Sequence, residues 1–426
     1  MTKRYAIQAL VMLVCTLGAC ASPGPEDNHH HGTMGEHHSS MSVDPVIARQ
    51  RSLEAALADL GAEKSWGFKL GGAQEIHRCW SRGDMLLCEA YDHQDEMWII
   101  HCIDLRRGKL RWILELGEHH LDRAPYVGRG TTAFLTADDG GLIVVDNMRG
   151  SRIGRIRSKL GIVPSSPATS DGATVYLGSQ LSGRLTAVAG DDGVKAWDFL
   201  GEGTCNRAPV LTHGLAQELV IYGTDAARLY ALPARSYSEG PPSEAEWVKP
   251  LNGSPSGDIV SVWMPGADGA PGEGLVIAPC DDGWLYGVDP ATGRSRWIVR
   301  SNAAFVGRPA VRNGRVYATN RDRLFCVDAK TGKRLWYPAS AKNKDAYQRD
   351  EIFGPAEGFE LGDRLLADDG KRVFLFRRGG RVMRCKWDNG EVENEWSLDD
   401  FDFFPTNTAT GELVVLTRDG YVLAFK

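Results

Sequence analysis

An eleven-residue phrase recurs along the chain and constrains its fold more than any other feature: GVDPATGRSRW at 287–297 and CVDAKTGKRLW at 326–336. A chain that repeats one supersecondary unit takes its fold from the repeat. The phrase returns as CIDLRRGKLRW at 102–112 and AVAGDDGVKAW at 187–197, and as VVDNMRGSRIG at 144–154, where the final Trp is lost. Its seventh position is always Gly: Gly108, Gly150, Gly193, Gly293 and Gly332. A tight turn between strands often needs positive φ, which Gly adopts without a Cβ clash. An Asp four residues earlier (Asp104, Asp146, Asp289, Asp328) is placed to accept from the turn's own amides. Four residues after the Gly, Trp112, Trp197, Trp297 and Trp336 each put a large ring on the next strand, where it fills the gap to a neighbouring sheet. The phrase reads as strand, turn, strand, with Gly and Trp as blade-packing residues.

Before each phrase stands a short aliphatic or β-branched run closed by a polar turn, as in TVYLGS from Thr174, LVIYGTD from Leu219 and LVVLTRDG from Leu413. Such runs are hairpin signals. A Pro precedes them, at Pro125, Pro167, Pro209, Pro309, Pro355 and Pro405, and marks an edge or strand start where no ladder donor is needed. Each period thus holds four short strands, the unit of a propeller blade. Gly108, Gly150 and Gly193 lie 42 and 43 residues apart, and the stretch from Gly193 to Gly293 holds two periods, the hidden one ending at Trp247. Another period runs from Pro355 to Trp396 with its turn at Gly390, and the last, from Pro405 to Lys426, has room for only three strands. A Trp-led strand at 66–70 supplies the missing fourth, so that the first and last segments share a sheet and close the ring. The count is eight four-stranded blades, all β, with seven as the rival count.

These residues and their spacing resemble the A-x-D-x-x-T-G-x-x-x-W signature of the pyrroloquinoline quinone (PQQ) repeat family, from about Trp66 to the end. That family includes the lipoprotein propeller subunit of the outer-membrane β-barrel assembly machinery and, as larger members, the quinoprotein dehydrogenases. The resemblance implies a propeller fold and leaves the activity to be argued from the sites.

Residues 1–19 combine Lys3 and Arg4, an apolar stretch and small terminal residues, and read as a secretory signal. The segment ends Leu17-Gly18-Ala19-Cys20, which resembles a bacterial lipobox with Cys20 as the lipidated mature N-terminus. Ala21 after it favours, by the same resemblance, the outer membrane of a Gram-negative bacterium with the protein facing the periplasm. Loss of the signal takes the formal charge from −6 to −8, and an acidic body argues against nucleic acid as partner. Residues 20–42 are rich in His, Gly and Ser and read as a flexible tether. Its clusters at His29, His30, His31, His37 and His38 are conceivable metal ligands, but no Cys or acidic partner stands at motif spacing, and no metal site is assigned. In 43–62 the spacing of Val46, Ile47, Leu53, Leu57 and Leu60 predicts one amphipathic helix, and 63–426 is the propeller domain.

With Cys15 in the signal and Cys20 lipidated, seven Cys remain, so at least one thiol stays free or pairs between chains. Cys79 and Cys88 face each other across a predicted hairpin and are left open as a disulfide or two thiols, whereas Cys102, Cys326 and Cys385 read as small core residues. The vicinal Cys pair that quinoprotein dehydrogenases carry is missing from the sequence. Asp281 with Asp282, and Asp368 with Asp369, are the best acidic pairs and read as turn caps, and Arg377, Arg378, Arg381 and Arg384 read as a solvated hairpin edge. No catalytic or cofactor-binding residue is assigned and no cofactor is expected. The reading is a lipid-anchored, monomeric, non-catalytic scaffold that touches the membrane only through its N-terminal lipid. It binds an envelope protein, with a barrel-assembly component as the partner that the resemblance implies. A PQQ-dependent periplasmic dehydrogenase and a glycan-binding envelope module are the alternatives. The loops at 234–246 and 339–359 depart most from the period and are the candidate contact regions.

Overall fold

Each period of the sequence folds into its own antiparallel sheet, and eight such sheets follow one another as an eight-bladed β-propeller. The computed structural model describes residues 45–426 apart from 59–60, 73, 129, 136–140, 157–163, 171–172, 206, 236–238, 267–271, 321–323, 337–363 and 378–379. Blade 1 consists of Gln74–Arg82, Met85–Asp92, Met97–Asp104 and Lys109–Gly117. Blades 2 to 5 and blade 7 repeat that four-stranded order. In blade 6, three strands (Phe305–Arg312, Arg315–Asn320, Leu324–Asp328) are extended by a bridge from Arg334 to Val327 at the outer position. Blade 8 pairs Leu413–Leu416, Tyr421–Phe425 and Lys64–Lys69, with a bridge from Phe403 to Leu416 at the inner position.

Blade 8 closes the ring as the sequence predicts. Lys64–Lys69 runs antiparallel to Tyr421–Phe425, with Trp66 opposite Ala424 and Phe68 opposite Val422. Glu63 and Lys426 exchange two backbone hydrogen bonds of 2.9 Å. The chain's last strand is thereby covered rather than left as an exposed edge.

Among the described residues second and third strands are largely buried, as in Thr174–Ser179 and Leu219–Thr224, because each lies between two neighbouring sheets. This explains their unbroken apolar runs. First strands of adjacent blades touch one another around the centre, and fourth strands such as Val392–Ser397 are largely exposed at the rim. Most of the period-marking Pro residues suit an inner strand whose free side needs no donor. Pro125 and Pro209 immediately precede their strands, Pro167 and Pro309 sit at register irregularities, and Pro355 lies outside the described residues.

The turn of the repeating phrase is uniform. At Gly108, Gly150, Gly193, Gly293 and Gly332, φ is 61°, 68°, 72°, 70° and 69°. The amide of Gly293 donates to Asp289 O at 2.9 Å, while Asp289 Oδ1 accepts from the amides of Ala291 and Thr292 at 3.0 Å. Asp104, Asp146 and Asp328 make the same pairs of bonds.

Most of these turn Gly, and Gly390 with them, also receive a ring from the preceding blade. Trp66 lies over Gly108, Trp112 over Gly150, Trp247 over Gly293, Trp297 over Gly332 and Trp336 over Gly390, and a Cβ at any of these Gly would stand 2.3–2.7 Å from the ring's nearest atom. Four of the indoles donate Nε1–H to the carbonyl three residues before the Gly: Trp112 to Asn147, Trp247 to Pro290, Trp297 to Ala329 and Trp336 to Trp387. Trp197 packs against Tyr176, ring centroids 5.7 Å apart. Opposite four of these Trp in their own blades stands a small residue, in the pairs Cys102 with Trp112, Ala187 with Trp197, Ala231 with Trp247 and Gly287 with Trp297. Blade 2 inverts the pair to Val144 opposite Gly154, and there the turn of blade 3 closes directly on the backbone. A Cβ at Gly154 would stand 2.1 Å from Gly190 O. The missing Trp is thus replaced by a closer approach of two backbones.

A helix over Pro45–Ala58 packs on blades 7 and 8, with Leu53 and Leu57 buried among Leu366, Phe401, Phe404 and Leu423. Val46 and Ile47 are exposed, and the Val46 carbonyl accepts from Tyr421 Oη at 3.2 Å. Leu60 lies outside the described residues.

One buried titratable group makes stability depend on pH. His101 Nε2 donates to Gln74 Oε1 at 2.6 Å, and Gln74 Nε2 donates to Asp92 Oδ2 at 2.8 Å. Desolvation outweighs the attraction of Asp92 and brings the imidazole down to about 4. The folded protein therefore holds His101 neutral, while the unfolded chain takes up a proton below about pH 6.5. Its contribution is fully present above that pH and is lost as pH falls toward 4, by up to about 3 kcal/mol. The His101→Gln variant is expected to lose less stability than the parent between pH 7 and pH 5, read as the shift in urea midpoint.

Candidate binding site in the central cavity

The innermost strands enclose a cavity of about 710 Å³ at the centre of the ring. Its wall draws on Cys79 to Gly83 of blade 1, Val260 to Val262 of blade 5, Val306 to Val311 of blade 6 and Arg364 with Leu365 of blade 7. Arg364 is held below its ordinary value by desolvation, and its guanidinium lies 4.8 Å from the ring centroid of Phe376.

A smaller recess of about 210 Å³ adjoins it and shares Arg82 and Arg308 with the larger cavity. Arg123, Tyr126, Gln180, Arg207 and Asp258 complete its polar lining. Arg82 ends the first strand of blade 1 and donates Nη1–H to Ser81 O at 3.0 Å. Arg308 lies in the first strand of blade 6 and is exposed toward the cavity. Arg207 donates to the Ser256 carbonyl, and Arg123 pairs with Asp122 at 3.0 Å. The Tyr126 hydroxyl accepts from the Leu211 amide at 3.3 Å. Desolvation, and then the like charge of Arg308, lowers Arg82 to about 10, so it stays cationic at neutral pH.

The residues singled out in the sequence lie elsewhere. Asp281 Oδ1 accepts from the Ser254 amide at 2.9 Å and Asp282 Oδ1 from the Trp284 amide at 3.0 Å. Asp368 is fully buried and accepts from Tyr317 Oη, Asn313 Nδ2 and the Gly370 amide, while Asp369 accepts from the amides of Lys371 and Arg372. Both acidic pairs are thus occupied as turn caps and strand ties. Arg377 and Arg381 pair with Glu395, and Arg384 pairs with Glu393, across the outer strands of blade 7. Arg378 lies outside the described residues.

Cys79 and Cys88 are register partners in blade 1, present as thiols with Sγ atoms 3.5 Å apart. Burial pushes Cys102 and Cys326 up to about 12, so both are protonated core thiols, and Cys385 is a buried core residue too. Cys20, the His-rich segment and the 339–359 loop lie outside the described residues, as does 236–238 within the 234–246 loop. Among the described residues no group of three or more His, Cys, Asp or Glu is arranged to hold a metal ion.

The recess arginines do have a trace in the sequence, outside the repeating phrase. Arg123 and Arg207 stand two residues before Pro125 and Pro209, and Arg308 stands immediately before Pro309. Pro marks the inner strand, so an Arg fixed to it is carried to the centre. Convergence on one recess required the closed ring.

The chain matches the family described as outer membrane protein assembly factor BamB over residues 99–202 and 243–426. A curated relative, outer membrane protein assembly factor BamB of Burkholderia pseudomallei (strain K96243), is 24% identical over 350 residues, which is 74% of this chain and 87% of the relative. Among solved structures, BamB from Moraxella catarrhalis superposes with a TM-score of 0.55 at 16% identity, covering 86% of this chain and 97% of that one. A quinohemoprotein alcohol dehydrogenase from Comamonas testosteroni gives 0.53 at 13% identity, covering 87% and 77%. At these identities the structural likenesses concern the fold alone.

Proposed function

The chain belongs to the PQQ_2 family, described as outer membrane protein assembly factor BamB, and from that premise we propose that it is a non-catalytic propeller scaffold serving outer-membrane protein assembly. The observation that carries the reading is the span of the family match, which takes in blades on both halves of the ring. In this reading Cys20 carries the lipid that ties the protein to the periplasmic face of the outer membrane, and residues 20–42 tether a monomeric propeller to it. Among the described residues no helix is long and apolar enough to cross a membrane. The rigid disc presents loops that depart from the repeat, including 234–246, to a barrel-assembly component.

Photo-cross-linking from the 234–246 loop in native envelopes is expected to recover a barrel-assembly subunit. Recovery of only unrelated proteins would reject that partner. Cys20→Ala is expected to abolish incorporation of radiolabelled palmitate and to release the protein from the membrane fraction; undiminished labelling would remove the lipid anchor from the reading. The alternative of a quinone-dependent dehydrogenase draws on the shared fold, and predicts dye-linked alcohol oxidation when the protein is mixed with PQQ and calcium. A scaffold shows none.

A further inference from the structure

The recess beside the central cavity concentrates positive charge in a protein whose acids outnumber its bases, 55 to 49. Four arginines line it, carried on or just before the inner strands of blades 1, 2, 4 and 6, against one carboxylate, Asp258. A structural network of ion pairs would neutralise such a cluster internally. That is not the arrangement here: among the described residues, neither Arg82 nor Arg308 forms an ion pair, and Asp258 forms none with them. Arg82 reaches only its neighbour's carbonyl, and the like charge of Arg308 bears on it. A narrow cleft with low-dielectric walls focuses such a field. Guanidinium forks in turn match the paired oxygens of phosphate and carboxylate. Arg207 and Arg123 are anchored by Ser256 and Asp122, and Gln180 and Tyr126 add further polar groups. The size of the recess, about 210 Å³, suits a small ion rather than a chain segment.

We propose that this recess binds a small free oxyanion of the phosphate or dicarboxylate class, gripped between Arg82 and Arg308 and flanked by Arg123 and Arg207. The site is independent of the partner reading, since it takes a soluble ion at the centre of the ring rather than a protein on its loops.

The test is calorimetric titration of the mature full-length protein with sodium phosphate and, separately, sodium succinate, at ionic strength held constant with chloride. Saturable binding of either probe is expected, with a rise in Tm from ligand linkage, and whichever probe binds more tightly fixes the class. Arg82→Gln combined with Arg308→Gln is expected to weaken binding by about tenfold or more. Arg308→Gln alone, at an exposed position, carries the same test should the double variant fold poorly. Asp258→Asn is expected to tighten binding, because it removes the carboxylate that lines the recess. Binding of neither probe, or an affinity unmoved by the Arg substitutions, overturns the proposal.

Discussion

Replacing Trp297 by Ala is expected to destabilise the protein by about 3–5 kcal/mol, the range for truncating a large aromatic in a packed interior. The ring is buried on both sides. It lies in a cluster with Val260, Ile277 and Leu285 of its own blade and with Val316, Phe325 and Val327 of blade 6. Its Nε1–H donates to Ala329 O at 2.9 Å, and it covers Gly332, whose Cβ position would be 2.6 Å from the ring. Ala abandons the area, the hydrogen bond and the seal between two blades together. Trp297→Phe keeps much of the area and is expected to cost less.

The inverted pair in blade 2 sharpens the test. Gly287→Val alone should be severe, because a Cβ at Gly287 would stand 2.1 Å from Trp297 Cε2. In the Trp297→Ala background that clash is gone and Val has room, as Val144 has opposite Gly154. The penalties should therefore be strongly non-additive, with the double variant more stable than the sum of the singles implies. Urea midpoints of the four proteins measure this, and simple additivity would show that the small-opposite-large pairing carries no energy.

Removing the closing strand is expected to have the second large effect. A chain beginning at residue 71 loses Trp66, Phe68 and Leu70 from the core beneath blade 8. Leu70 is buried and Trp66 and Phe68 are half-buried, so at about 1.5–3 kcal/mol for a fully buried large apolar side chain and less for the other two, the loss is a large fraction of the stability of a typical domain. The outer side of Tyr421–Phe425 then presents unpaired backbone groups, an edge that recruits other strands. The expected outcome is a lowered Tm together with concentration-dependent association by light scattering, compared with a chain beginning at residue 63. A monomer with the parent's Tm would mean that the ring does not depend on this strand.

Much of this architecture was legible in the sequence because its causes are local and repeated. A turn that needs positive φ selects Gly at Gly108, Gly150, Gly193, Gly293 and Gly332, and the Asp that caps the turn stands at a fixed distance from it. Even the closing strand could be placed, since a final period one strand short leaves the Trp-led segment at 66–70 as the remaining candidate. What each Trp packs against was less legible. That Trp297 covers the turn Gly of the following blade, and that Gly287 makes room for it from within its own, depends on how two sheets meet across a gap. The arginine recess lay further from view. Arg82 and Arg308 are 226 residues apart in the chain, and nothing in either neighbourhood refers to the other.

The sequence by itself determined the unit and the point of closure and favoured eight units over seven, because turns, strand periods and a missing strand are properties of short segments. Only the tertiary structure decided which charges share a space. Bending eight blades into a ring turns positions equivalent along the chain into neighbours around an axis, and at that axis electrostatics depends on distance in space alone.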